Sequence, residues 1–220
     1  GATPQTPRSA SPIDLTGYWV AVVNEDWRHR MATPRKGDFE SLPLNAEGRR
    51  AANEWDHAAD NAAGLQCKAF GVGGLMRQPG RLHITWENDT TLKMDLDAGT
   101  QTRRFHFGTP PAAQPSWQGS STARWQLPAG RGRGPVTTGQ LVVTTNRLRP
   151  GYLRKNGVPY GANATITEFF VKLADEGQEY LAVTIMVDDP QYLALPYIKT
   201  YQYKKERDAS GWNPTACVAQ

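Results

Sequence analysis

From Arg81 to Lys205 the chain is cut into short runs in which apolar side chains recur at every second position, the period of a strand with one buried face. RLHITWE (81–87), TLKMDLD (91–97), TRRFHF (102–107), WQGSSTARWQ (117–126), QLVVTTN (140–146), NATITEFFVKL (163–173), YLAVTIMV (180–187) and YIKTYQYKK (197–205) all read this way. Near the start, TGYWVAVV (16–23) is apolar throughout, as in a strand covered on both sides. Asn88-Asp89 and Ala98-Gly99 are short breaks of the kind that join hairpins. The pattern predicts a mainly β fold of about nine antiparallel strands. Closing them into a barrel removes exposed edges and leaves room for one small ligand. A β-sandwich has the same strand count and turn spacing.

The remaining segments punctuate this pattern. Residues 1–12, small, polar and proline-rich, predict a flexible leader ahead of a single domain over 13–220, a length one core can hold. Residues 24–43 mix charges, aromatics and prolines without a period, too long for an ordinary connection, and suggest a functional lid. Asn45 is placed to cap one long helix running to about Asp56 or Ala63, with Gly64 as its stop. GRGRG (130–134) and RPGYLRKNGVPY (149–160) read as turn-rich loops at barrel mouths.

Charge is unevenly spread. Between Asp97 and Glu168 there is no acidic residue, whereas Arg103, Arg104, Arg124, Arg131, Arg133, Arg147, Arg149, Arg154 and Lys155 all fall there. A positive field of this kind concentrates anionic ligands. No nucleic-acid motif accompanies it, and no run of 18 apolar residues could span a membrane. Two cysteines, Cys67 and Cys217, are too few and too far apart for a zinc site. They suit a disulfide tying the C-terminal tail back to the loop before the barrel, or else two separate buried thiols.

Several residues stand out as candidates for a site. On the strand 117–126, Trp117, Gly119, Ser121, Ala123 and Trp125 share one face, so two indoles flank a hollow that a flat ligand could fill. Glu168 shares parity with Ala164, Ile166 and Phe170, so it points into an apolar face where a carboxylate needs a partner, with Arg104 or Arg147 within reach. Asp188 lies in an Asp-Asp-Pro turn with Tyr192 close behind, and the lid offers Trp27, Arg28, His29, Asp38 and Glu40. The four histidines form no pair at metal-ligand spacing, and Gly71-Val72-Gly73-Gly74 lacks the flanking strand and helix of a dinucleotide site. No cofactor is expected.

Taken in order, LTGYW, LPLNAEGRRAANEWD, QCKAFG, MRQPGRLHITWE, PSWQGSSTARW, RLRPGYLRKNGVPYGANATITEFF and VTIMVDDPQYLALPY cover most of the chain. This succession resembles an uncharacterised family of secreted bacterial lipocalin-like β-barrel proteins, with its Trp-Gly-Ser-Trp strand, Thr-Glu strand and Asp-Pro turn. QLPAGRGRGPVTTG (126–139) stands where that family has a short acidic link. The resemblance implies secretion and a barrel, and supplies no activity. Two functions follow from the residues, beside a structural or protein-interaction role that an edge or lid surface could serve without any pocket. One is binding of a small, partly aromatic molecule, with an anionic group where the basic segment takes part. The other is a cofactor-independent lyase, isomerase or hydratase with Glu168 or Asp188 as acid or base and Arg104 holding a developing anion.

Overall fold

The computed structural model describes residues 5–129 and 138–219. Nine strands close into a barrel, in the order β1 (Gly17–Val22), β11 (Tyr197–Lys205), β10 (Gln178–Asp188), β9 (Thr165–Asp175), β6 (Gln140–Asn146), β5 (Ser120–Gln126), β4 (Gln101–His106), β3 (Thr91–Leu96) and β2 (Arg81–Asn88). A separate hairpin, β7 (Gly151–Arg154) with β8 (Val158–Tyr160), falls within the segment expected to be a loop. The GRGRG segment, with Arg131 and Arg133, lies outside the described residues.

Alternation decides which side chains fill the barrel. Leu181, Val183, Ile185 and Val187 point inward from β10, and Tyr197, Tyr201 and Tyr203 from β11. Ile166, Glu168 and Phe170 do so from β9, and Trp19 from β1. Each large apolar side chain buried in this way stabilises the fold by roughly 1.5–3 kcal/mol.

One join breaks the antiparallel rule. β4 and β5 run parallel and pair only at Phe105↔Ser121 and His106↔Thr122. This thin seam is reinforced from inside. Arg103, on β4, holds both carboxylate oxygens of Glu168 on β9, at 2.8 and 2.5 Å, and both residues are at most 2% exposed. The same guanidinium donates to Thr145 Oγ1 of β6 at 3.3 Å, and that hydroxyl shares a 2.8 Å hydrogen bond with Ser121 of β5. Four strands are thereby linked by one buried polar chain across the place where the backbone ladder is weakest.

The segment between β1 and β2 caps one end of the barrel. It contains α1 (Trp27–Met31), α2 (Ala46–Asn53), α3 (His57–Ala62), a 3₁₀ turn (Gln66–Phe70) and α4 (Val72–Leu75). Asn45 caps α2 as expected, its Oδ1 accepting from Gly48 N at 2.8 Å. The single long helix is in fact two, because Asp56 accepts from Ala58 N at 2.9 Å and starts α3 afresh. Gly64, at φ 69°, ends it. Gly73 sits so close to Tyr160 that a Cβ there would fall 2.7 Å from the ring, which gives the glycine run a packing role. Residues 5–12, expected to be a free leader, lie against the barrel: Arg8 N donates to Asp89 O and Trp125 Nε1 to Pro7 O.

Cys67 and Cys217 form a disulfide that ties the C-terminal tail to the cap. Asp97 O accepts from Thr215 N at 2.9 Å beside it. No helix among the described residues is long and apolar enough to cross a membrane.

Two outcomes follow for stability. Replacing both cysteines by alanine should lower the unfolding free energy in urea by about 2–4 kcal/mol. Arg103→Met alone strands a buried carboxylate and should cost about 3–5 kcal/mol, whereas Arg103→Met with Glu168→Leu should recover only the part due to the stranded charge and remain less stable than wild type. A double variant as stable as wild type would show that packing, rather than the polar chain, holds the seam.

Candidate functional site at the capped end

The expected hollow between two tryptophans does not form. β5 begins at Ser120, and Gly119 at φ 63° turns the chain just before it, so Trp117 leaves the alternation. Trp117 instead lies under the Arg149 guanidinium, 4.3 Å from its ring centre, and its carbonyl accepts from Val72 N. Trp125 packs at the other end of the strand against Phe107 and Trp86, at 5.3 and 6.5 Å. Arg103 reaches Ser121 through Thr145 and lies 4.9 Å over Phe105, which meets Phe170 at 5.5 Å.

Glu168 points inward as expected, but its partner is Arg103. Arg104 has the opposite parity on β4, is exposed, and pairs with Glu87 at 2.9 Å. Arg147 is exposed as well, in a left-handed turn. Asp188 is exposed at the end of β10. Its neighbour Asp189 is buried and accepts from Gly161 N at 2.7 Å and Gln191 N at 3.2 Å, which makes the Asp-Pro turn a structural corner. Tyr192 belongs to that corner, its N donating to Asp189 O and its O accepting from Asn45 N.

Polar groups converge instead beneath the lid. Asp26 has left-handed backbone (φ 54°) and caps the barrel end just before α1. Its carboxylate accepts from Arg77 Nη1 at 2.7 Å and meets His29 Nδ1 at 3.0 Å, with Arg154 Nη2 at 3.8 Å and Lys199 Nζ at 4.0 Å. His29 Nε2 reaches Asp38 at 3.3 Å. Arg30 donates to Glu25 at 2.8 Å and to Arg77 O at 3.1 Å, and its guanidinium lies 5.1 Å over the Tyr201 ring. Tyr197 and Tyr201 close the floor, their hydroxyls 3.5 Å apart. Asn156 fastens the lid from below, donating to Arg35 O and Asp38 O.

The cations outrun their partners. Arg30, Arg77 and Arg154 are each buried. Arg30 Nη2, Arg77 Nη2, and both Nε and Nη1 of Arg154 are shut off from solvent without a hydrogen-bond partner. Arg154 makes no side-chain hydrogen bond among the described residues, its nearest carboxylate being Asp26 at 3.8 Å. Burial lowers its pKa, and the neighbouring Arg77 lowers it further. A buried donor left unpaired costs about 1–3 kcal/mol, and more when charged. Asp26 shows the opposite balance: burial pushes its pKa up, but the hydrogen bond and charge of Arg77, then His29 and Arg154, outweigh this and hold it below the usual 3.8.

Beside this cluster a cleft of about 750 Å³ runs between the lid and the β10–β11 loop, walled by Phe39, Leu42, Leu195 and Ile198 with Arg49 at its edge. Tyr197 lines the cleft and also belongs to the charged cluster. Of the expected lid residues, His29 is in the cluster and Glu40 lines the cleft. Trp27, 63% exposed, points away from the barrel. Among the described residues no three His, Cys, Asp or Glu side chains gather as metal ligands.

The sequence reading missed Asp26, Arg30, Arg77 and Lys199 as site residues, and took Arg154 only as one of nine scattered charges. No family model, curated protein or solved structure matches the chain.

Because Asp26 titrates lower in the folded chain than in the unfolded one, its contribution is present above about pH 4 and is lost as the pH falls through its folded value. Acid unfolding followed from pH 5 to pH 2 should therefore show a limb that Asp26→Asn flattens; an unchanged limb would place the acid sensitivity elsewhere. In ligand-free buffer, Arg154→Met should leave the melting temperature unchanged or raise it, since it removes a buried charge without a close partner.

Proposed function

We propose that this barrel binds a small, partly aromatic anion at its capped end, the anionic group received by Arg154 with Arg77 and Arg30, and the apolar body by the adjoining cleft. The observation that carries the reading is Arg154: a buried guanidinium whose Nε and Nη1 have no protein partner and whose nearest carboxylate is 3.8 Å away. Evolution rarely keeps such a group for stability, because an apolar residue of similar volume would serve better. A guanidinium presents parallel N–H donors that match a carboxylate or a phosphate, and in a buried setting such charge-assisted bonds are strong. The adjoining cleft has mixed walls, Phe39, Leu42, Leu195 and Ile198 alongside Glu40, Ser41 and Arg49, so the apolar body would lie along its hydrophobic side.

A secreted or periplasmic setting belongs to the same proposal and is supported by the disulfide between Cys67 and Cys217. So does kinship with secreted lipocalin-like barrels, which rests on the sequence motifs. For the lyase, isomerase or hydratase reading the structure offers less support: both oxygens of Glu168 are engaged by Arg103, and Asp188 faces solvent.

Isothermal titration with benzoate tests the binding reading. Saturable one-to-one binding is expected, weakened about 10- to 100-fold in Arg154→Met, the loss of one charged hydrogen-bonded contact. Equal affinity in wild type and variant, or no binding of benzoate or sulfate to either, would refute it.

A further inference from the structure

Resting on the anion-binding reading above, the geometry points to Asp26 as an internal stand-in for the ligand: its carboxylate occupies the place where a ligand carboxylate is received, so that ligand and Asp26 compete for the same guanidinium groups. Three cationic side chains, Arg77, Arg154 and Lys199, and the imidazole of His29 converge from four separate parts of the chain on this one carboxylate. Only Arg77 and His29 approach within hydrogen-bond distance, while Arg154 and Lys199 stand off at 3.8 and 4.0 Å. Asp26 is thus centred among the cations without satisfying them. A freely diffusing carboxylate is not tied to a backbone and can sit closer to Arg154.

The backbone supports the same inference. Asp26 holds φ 54°, a conformation that costs most residues about 1 kcal/mol or more and that Asp and Asn adopt most readily. The five-residue α1 follows directly, and Asp26 O accepts from the amides of both His29 and Arg30. Release of the Asp26 carboxylate through a shift of this strained backbone would move the start of the lid with it. Movement is required in any case, because the unpartnered atoms of Arg154 are shut off from solvent. The ligand class that fits is a monocarboxylate on an apolar or aromatic body. Its charge replaces the single charge of Asp26, and its body takes the cleft beside Tyr197.

Competition of this kind lowers apparent affinity by the fraction of molecules in which the site is free. Asp26→Asn keeps the side-chain shape and tolerates the left-handed backbone, but no longer competes as an anion. Benzoate should bind it at least 10-fold more tightly than wild type, while adding Arg154→Met to it should abolish the gain. Weaker or equal binding by Asp26→Asn would overturn the stand-in role and leave the anion-binding reading intact. Failure of benzoate to bind wild type and Asp26→Asn alike would overturn both. Hydrogen exchange on the wild-type protein gives a readout independent of the variant: saturating benzoate should speed exchange of the His29 and Arg30 amides, and unchanged or slower exchange would contradict displacement of Asp26.

Discussion

The buried pair of Arg103 and Glu168 is the constraint from which the rest of the molecule follows. A closed barrel with one parallel join has a weak line, and here that line is two residue pairs long. The guanidinium reaches past it to β9 and, through Thr145 and Ser121, to β6 and β5. Taking both charges out of water is costly, and the cost is offset by the bidentate geometry and by the Nη2 donor shared with a hydroxyl, while Arg103 Nε is left without a partner among the described residues. The same side chains fill the middle of the barrel. A fold of this size commonly encloses a ligand, but here the central volume belongs to Arg103, Phe105 and Phe170, and the proposed recognition site lies at the end of the barrel.

At that end the balance of charge is reversed. Inside the barrel one cation meets one anion at close range; under the lid three buried arginines share nearby carboxylates that satisfy only part of their donors. Close packing holds the arrangement together. Ala69 to Gln78 form a continuous buried plug, Tyr203 donates to Met76 O at 2.9 Å, and the β7–β8 hairpin supplies Arg154 from the opposite side. Stability lost by keeping these donors unpaired is recovered elsewhere, in the apolar interior and in the disulfide between cap and tail. Among the described residues the unpartnered donors are concentrated at this end, four nitrogens on three arginines against Arg103 Nε alone in the ion pair inside the barrel, and departures from full polar satisfaction gather at functional sites.

Much of the barrel was legible in the sequence, since alternation is local and nearly every strand carries it. Gln140–Asn146 and Tyr197–Lys205 coincide with the runs read from the sequence, and the others differ by a few residues at their ends. What alternation does not encode is where a strand starts. Extending β5 back through Gly119 put Trp117 on the wrong face, and a glycine at positive φ was the sign that the strand stops there. Parity gave Glu168 its inward direction, and applied to β4 it would also have chosen Arg103, next to the inward Phe105, over Arg104. The parallel seam has no local signature, because the direction of pairing is set by the path of residues 107–119 rather than by the strands themselves. The charged cluster was the least legible part. Its members come from residues 25–30, 77, 154 and 197–201, and only the closed barrel with its cap brings these together.

Arginine Nε–H groups give separate nitrogen–proton signals in NMR, and that of Arg154 reports most directly on the central claim. Titration of benzoate into the wild-type protein should shift this signal strongly, in step with calorimetric saturation, as a carboxylate takes up the partnerless donor, while the Arg103 signal inside the barrel stays in place. An Arg154 signal that does not move while benzoate binds would contradict the account, since the anion would then be held somewhere other than the capped end.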